Sequence, residues 1–174
     1  MMNRRERRRF VEDGRCPFVK DDGGRRQSDI ARGRKDEVGD CTARAIAIAT
    51  QMPYREVHVA LTAAKVRHAA TGKSAWAKWA RRSRGPRAFH ADHGVPIGVS
   101  DPYLEALGWR YTSTKELPRG RGVRLRADEL PRGRLIVQLY RHLTAVIDGV
   151  IHDTHDCGGA GRRPVQGYWR MAKR

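Results

Sequence analysis

The chain has 174 residues, enough for one domain with a hydrophobic core, and carries 36 Lys or Arg against 19 Asp or Glu. No run of about 18 apolar residues occurs, which excludes a membrane-spanning helix. No apolar segment follows the basic N-terminus, which excludes a secretory signal. We therefore expect a cytosolic protein, made in a cell or delivered to one. The chain has three cysteines, a number that is too small, and odd, for a disulfide framework.

The formal net charge of +17 predicts non-specific binding of polyanions, because a basic surface releases the counterions of nucleic acids. The basic residues are scattered over the whole length of the chain. The charge is therefore equally compatible with the arginine- and alanine-rich composition of proteins from GC-rich genomes. Nucleic acid stays a candidate partner, bound through the Arg-rich surface.

Residues 1–38 are predicted to form a basic, weakly ordered arm, because they combine many charges and glycines with few apolar residues. The ordered domain is predicted to span residues 39–174, with a basic irregular insert at 67–96. Within this insert, Trp76 and Trp79 lie among lysines and arginines. They either form the apolar stripe of a short docking helix, the commoner outcome, or stack on nucleic-acid bases.

The most informative helix is predicted to begin at Cys41, directly after the good N-cap residue Asp40. Small apolar side chains on all sides of this helix, to Gln51, predict that it is buried at the centre of the fold. The partial positive charge of a helix N-terminus favours a thiolate, so Cys41 is a candidate nucleophile. A second helix, amphipathic by its apolar spacing, begins at Pro53.

Farther along the chain, a short helix is predicted with Asp101 as its N-cap and Gly108 as its stop, followed by a strand at 109–112. The C-terminal third is predicted to be β. Asp148 and Gly149 predict a type I′ hairpin turn. Helices followed by an antiparallel sheet predict an α+β fold. The predicted C-terminal strands cover residues 135–140, 143–147, 150–154 and 165–170.

The hairpin selects a histidine partner for the thiol. The two-residue turn pairs residue 147 with 150 and residue 144 with 153, so His142 and Asp153 are diagonal neighbours on one face. A carboxylate there can hold the imidazole that activates Cys41, as nucleophilic catalysis by a thiol requires. Because the chain has seven histidines and many aspartates, a chance grouping is the competing interpretation.

A zinc site and a phosphate loop are the other sites considered. His152, His155 and Cys157, with Cys16, match no standard zinc-ligand spacing, and the hairpin places His152 and His155 on opposite faces. The glycines of residues 158–161 lack the surroundings of a nucleotide-binding motif, so they predict a turn. Cys16 is interpreted as structural. We expect no cofactor and no metal.

The sequence Asp-Cys-Thr-Ala-Arg-Ala at residues 40–45, with the hairpin residues 142–149 and 151–154, resembles the papain-like cysteine peptidase superfamily. The likeness is closest to small peptidase-like proteins of bacteriophages and prophages, and more distant to bacteriocin-leader peptidases. It covers roughly residues 39–66 and 134–170.

The resemblance implies a papain-like fold, in which a buried N-terminal helix packs on a C-terminal antiparallel sheet. It implies Cys41 as nucleophile, His142 as base and Asp153 as the residue that orients the base. The expected activity is acyl-enzyme hydrolysis of an amide, isopeptide or thioester bond in a protein or peptide. The expected location is the bacterial host cytoplasm or the virion.

The chain departs from the superfamily at the oxyanion hole. Papain-like enzymes usually carry a Gln a few residues before the cysteine, but residues 35–40 contain neither Gln nor Asn, and Gln27 is too distant to carry over. Backbone N–H groups at the helix start could serve instead. Asp40 also places a negative charge beside the thiol unless it caps the helix. A non-enzymatic polyanion-binding phage protein, or a host-directed inhibitor with the same fold, is the competing interpretation.

Overall fold

A computed structural model describes residues 14–31, 39–83, 89–116 and 122–172 of the chain. In these ranges four α-helices and one six-stranded mixed sheet form, so the predicted α+β class is confirmed. None of the described helices is both long and apolar enough to cross a membrane. The helices are α1 (Cys41–Thr50), α2 (Tyr54–Thr71), α3 (Ala75–Arg82) and α4 (Ile97–Ala106), and the strands are β1 (Phe18–Lys20), β2 (Trp109–Ser113), β3 (Arg134–Leu139), β4 (His142–Ile147), β5 (Val150–Asp153) and β6 (Gly167–Met171).

The sheet has the strand order β1-β5-β4-β3-β6-β2. Every neighbouring pair is antiparallel except β1 and β5, which run parallel. The strand predicted at 109–112 and the four predicted C-terminal strands are confirmed within one or two residues. The sheet is mixed rather than purely antiparallel, because β1 joins its edge.

The segment 14–31 is ordered, which corrects its assignment to the weakly ordered arm 1–38. Its strand β1 places Phe18 opposite Ile151, and the segment leads to a buried arginine, Arg25. Only three residues long and half exposed, β1 has no alternating apolar pattern that sequence reasoning could detect. The remainder of the predicted arm, residues 1–13 and 32–38, lies outside the described part of the chain.

Helix α1 is buried along its whole length, as predicted, and it packs against the face of the sheet. Its residues 42–49 are all buried, because small side chains let the strands approach the helix closely. Ile46 shares one core cluster with Ile136 of β3 and Ala145 of β4. This packing fixes the N-terminus of α1, and therefore Cys41, at the end of the sheet where β4 begins.

The predicted irregular insert at 67–96 is largely helical in its described part, because α2 continues into it and α3 follows. Trp76 packs with its ring 5.5 Å from the Lys65 ammonium, so the docking interpretation holds for this residue. Trp79 is 52% exposed. Beyond Ala64, charged residues interrupt the apolar stripe of α2, and charged residues also dominate the outer face of α3. Residues 84–88 lie outside the described ranges.

Helix α4 begins four residues before the predicted N-cap. It starts at Ile97 after Pro96, and the N-cap assignment of Asp101 is therefore wrong. The pair Asp101-Pro102 imitates a helix start, because Pro is tolerated in a first turn, but the helix contains Pro102 in its interior. Asp101 consequently projects from the middle of the helix.

Candidate active site

The β4–β5 hairpin has the predicted geometry. Asp148 and Gly149 both have positive φ angles, 49° and 82°, as a type I′ turn requires. The register places residue 147 opposite 150 and residue 146 opposite 151. His142 Nε2 lies 2.7 Å from Asp153 Oδ2, which confirms that the two side chains meet on one face of the hairpin.

The nucleophile candidate lies beside this pair. Cys41 is half-buried at the first position of α1, where His142 and the backbone N–H of Leu143 hydrogen-bond its sulfur. Burial raises the pKa of Cys41. These hydrogen bonds and the charges of His142 and Arg44 outweigh burial, so the pKa falls below its ordinary value of 9.0. The site therefore favours the thiolate.

The same contacts act in the opposite direction on the imidazole. Burial lowers the pKa of His142, but its hydrogen bonds to Asp153, Cys157 and Cys41 raise it to about 11. Burial also opposes ionisation of Asp153, yet the hydrogen bond and charge of His142 lower the pKa of this carboxyl. These contacts therefore favour the charged forms, a Cys41 thiolate, a His142 imidazolium and an Asp153 carboxylate, over the neutral ones.

A second thiol, Cys157, also lies beside His142. Ligand atoms of His142, Asp153 and Cys157 all lie within 4.8 Å of one another, a spacing that could hold a metal ion if the existing His–Asp hydrogen bond gave way. Cys157 is only 4% exposed and does not line the neighbouring cavity, whereas Cys41 does. Cys41 is therefore the accessible thiol of the two. No sequence pattern predicted that Cys157 lies beside His142.

The four residues considered for zinc do not come together. His152 Nδ1 lies 3.2 Å from Asp21 Oδ2, on the opposite face of the hairpin from His142. His155 packs against His142, with 5.2 Å between the ring centroids. Burial, followed by the nearby Cys157 and acidic groups, raises the pKa of Cys16 to about 12. Cys16 is thus an unreactive thiol, in agreement with its structural interpretation.

Asp40 lies before α1 as predicted, but its side chain does not cap the helix. It is fully buried and accepts a hydrogen bond from Tyr54 Oη at 2.7 Å. Arg25 Nε lies 3.0 Å from its Oδ2, and the Arg44 guanidinium pairs with its Oδ1. Two cations therefore offset the negative charge that would otherwise oppose a thiolate at Cys41. This network depends on contacts across the fold, so the sequence could not show it.

A cavity of about 340 Å³ opens beside the thiol. It lies between the start of α1, helix α4 and the β3–β4 turn, and its walls are mainly apolar. Such a cleft can hold a peptide segment with its carbonyl group near Cys41. Its lining residues are Cys41, Thr42, Gly94, Val95, Ile97, Ser100, Asp101, Gln138, Leu139, Tyr140, Arg141, His142, Leu143, Gln166 and Trp169.

Two amide side chains, Gln138 and Gln166, share this cavity with Cys41. Tyr111 Oη donates to Gln138 Oε1 at 2.8 Å, which directs the Gln138 NH₂ group away from Tyr111. Gln27 lines a different cavity, one that Cys41 does not line. The sequence search looked upstream of Cys41 and missed amides that the sheet supplies. Gln138 is a polar residue at an inward-facing position of β3, and this pattern could have indicated an amide at the site.

Gly167 lies on the intervening strand β6, opposite Gln138 in the register. Because glycine has no side chain, Tyr111 can reach across β6 to Gln138. A Cβ atom at Gly167 would overlap the Tyr111 phenol ring. We expect Gly167→Ala to lower the free energy of unfolding by about 1–3 kcal/mol, the usual effect of overpacking, in urea denaturation. Adding Tyr111→Ala to this variant should recover stability. Equal stability of wild type and Gly167→Ala would contradict the packing.

A second His–Asp pair lies elsewhere in the described fold. His58 Nε2 is 2.9 Å from Asp92 Oδ1, both side chains are buried, and neither lines the cavity. The Tyr54 ring packs on His58 at 5.7 Å. The pair does not line the cavity, and it holds α2 against the loop before α4.

Comparisons with protein-family models, with curated proteins and with solved structures each return no match.

Proposed function

We propose that the protein is a cysteine hydrolase of the papain-like type, acting on an amide, isopeptide or thioester bond of a protein or peptide. One observation carries the proposal: Cys41 heads a buried helix, lines a cavity, and hydrogen-bonds His142, which Asp153 holds at 2.7 Å. Thiolate, base and orienting acid are the three parts that nucleophilic catalysis by cysteine requires.

The reaction begins from the Cys41–His142 ion pair. The thiolate attacks the substrate carbonyl carbon, and the C=O π electrons move onto oxygen. His142 then gives its proton to the leaving nitrogen or sulfur as the bond to the carbonyl carbon breaks, which leaves an acyl-enzyme. Neutral His142 next takes a proton from water, whose oxygen attacks the acyl carbon. Collapse of the second intermediate releases the acid and restores the thiolate and the imidazolium.

The raised pKa of His142 suits both halves of this cycle. Its hydrogen bond to Cys41 contributes to the value of about 11, and acylation of Cys41 removes the thiolate charge. His142 therefore becomes less basic after acylation, while its hydrogen bond to Asp153 keeps it able to accept the proton of the attacking water. When Cys41 leaves as a thiolate, its restored contact again favours the proton on His142. Asp153 keeps the ring oriented throughout.

The oxyanion needs donors at the cavity wall. The first backbone N–H groups of α1 have no partners within the helix, and its first two residues, Cys41 and Thr42, line the cavity. The Gln138 NH₂ group, oriented through Tyr111, is the side-chain donor that we assign to this role. It would replace the upstream Gln of papain-like enzymes from the opposite, sheet side of the cleft.

A proteome-derived peptide library tests the proposal without a known substrate. Wild-type protein should generate new peptide termini and acyl adducts on Cys41, both identified by mass spectrometry. Cys41→Ala should abolish them, and Asp153→Ala should reduce turnover by about 100-fold or more. Cys16→Ala is the matched control and should retain activity, because that thiol neither lines the cavity nor is among the groups that shift the pKa of His142. Cleavage that survives Cys41→Ala would contradict the proposal.

The biological setting within this proposal rests on the sequence resemblance. A phage or prophage enzyme would act in the bacterial host cytoplasm or in the virion, and the basic surface would keep it near nucleic acid.

A further inference from the structure

We propose that Asp101 selects substrates with a lysine or arginine next to the scissile bond, through contact between its carboxylate and the basic head group. This inference rests on the proposed hydrolase function and names the class of substrate. Four observations support the inference. They are the position of Asp101 in the cavity, the lack of an ion-pair partner for it among the described residues, the apolar wall around it, and the charges of the other lining residues.

Asp101 projects from the interior of α4 into the cavity that Cys41 lines. The side chain is half-buried and contacts the hydroxyl of its neighbour, Ser100, at 3.2 Å. Among the described residues, no Lys, Arg or His nitrogen lies within ion-pair distance of it. A cavity carboxylate that has no such nitrogen within ion-pair distance is available to a cation from outside.

The wall around Asp101 fits the aliphatic stem of a basic side chain. Val95, Ile97 and Leu139 line the same cavity, and Ile97 is 57% exposed at its rim. Tyr140, also a lining residue, is 70% exposed. Lysine and arginine bury their methylene groups against such surfaces while the charged end reaches a polar partner.

Asp101 is the one acidic residue in the cavity lining, which also contains the cations Arg141 and His142. Burial and the nearby Glu105 raise its pKa to about 6, against the hydrogen bond from Ser100, so the carboxylate is ionised above neutral pH. A chain with a net charge of +17 repels cationic substrates at long range. The attraction of Asp101 for a basic side chain would therefore act only over a short distance, on a substrate that already lies in the cavity.

Peptidyl chloromethyl ketones that differ in one residue provide the test. The residue next to the reactive carbonyl is lysine, its neutral isostere norleucine, or glutamate, and the rate of Cys41 modification is followed by mass spectrometry. We expect wild type to react at least about tenfold faster with the lysyl than with the norleucyl reagent. Asp101→Asn should reduce the lysyl-to-norleucyl rate ratio to about one, and a cooperative urea unfolding curve shows that the variant is folded.

Glu105→Gln is the matched control, since Glu105 lies one turn farther along α4 and does not line the cavity. It should keep the lysyl preference, and Asp101→Lys should transfer the preference to the glutamyl reagent. An equal lysyl-to-norleucyl ratio in wild type and Asp101→Asn would overturn the inference, even where fast labelling that depends on His142 upholds the hydrolase.

A second pair of reagents keeps the two proposals separate. The cationic 2-aminoethyl and anionic 2-sulfonatoethyl methanethiosulfonates modify a cysteine without any acyl chemistry. Their rate ratio at Cys41 should shift towards the anionic reagent in Asp101→Asn, and an unchanged ratio counts against Asp101 whatever the chloromethyl ketones do. Slow labelling of Cys41 by every reagent, with the ratio still shifted, would instead reject the hydrolase.

Discussion

His142→Ala is expected to slow alkylation of Cys41 by iodoacetamide at pH 6.5 by about 100-fold or more. Without the imidazolium, burial dominates and the Cys41 pKa rises, and each unit reduces the thiolate fraction about tenfold below the pKa. In wild type the pKa lies below 9.0, so the rate rises early and stays level towards alkaline pH. In the variant the alkylation rate should rise only near or above pH 9. Mass spectrometry of the alkylated peptide against pH measures both profiles.

Two further variants control this experiment. His152→Ala removes a histidine from the same hairpin, but its ring faces Asp21 rather than the thiol and its profile should match wild type. Cys16→Ala removes a thiol that does not line the cavity and should leave Cys41 reactive. Identical profiles for wild type and His142→Ala would exclude the ion pair and, with it, the proposed mechanism.

Asp40→Asn is expected to lower the free energy of unfolding by about 3–5 kcal/mol, the usual effect of removing one partner from a buried ion pair. Asparagine keeps the size of Asp40 and its suitability before a helix, but it removes the negative charge that Arg25 and Arg44 share in the buried network. Urea denaturation followed by circular dichroism measures the change.

Asp29→Asn serves as the control for Asp40→Asn. Asp29 pairs with Arg55 on the exposed surface, where ion pairs contribute little, so its unfolding curve should overlay that of wild type. A triple variant with Leu in place of Asp40 and Met in place of Arg25 and Arg44 should regain much of the lost stability. Should Asp40→Asn and Asp29→Asn prove equally stable, the buried network would have no structural importance.

The contact between His142 and Asp153, beside Cys41 at the start of α1, was the most predictable feature of the candidate site, for a physical reason. An Asp-Gly turn fixes the register of a two-residue hairpin, and the register alone decides that His142 and Asp153 share a face. The start of a buried helix at Cys41 follows from local composition in the same way. These are short-range rules, and each needs only a few consecutive residues.

The parts that were not predictable depend on partners far apart in the chain. Strand β1 exists because a distant strand offers it backbone hydrogen bonds, and Arg25 is buried because Asp40 receives it. Gln138 reaches the cavity through its position in the sheet, and Tyr111 orients it from another strand. No local pattern encodes such pairs. The error in the predicted start of α4 has a different cause. Asp101-Pro102 has the residue types of a helix start, but it lies inside the helix.

The pairing of β1 with β5 also bears on when Cys41 acquires its partners during synthesis. Asp21 and His152 touch although 131 positions separate them, and the groups that act on Cys41 come from the same late hairpin. A ribosome extrudes Cys41 long before these residues, and pairings of such high contact order form late in folding. On the nascent chain the thiol therefore keeps the reactivity of an ordinary cysteine until β4 and β5 have been synthesised and have folded.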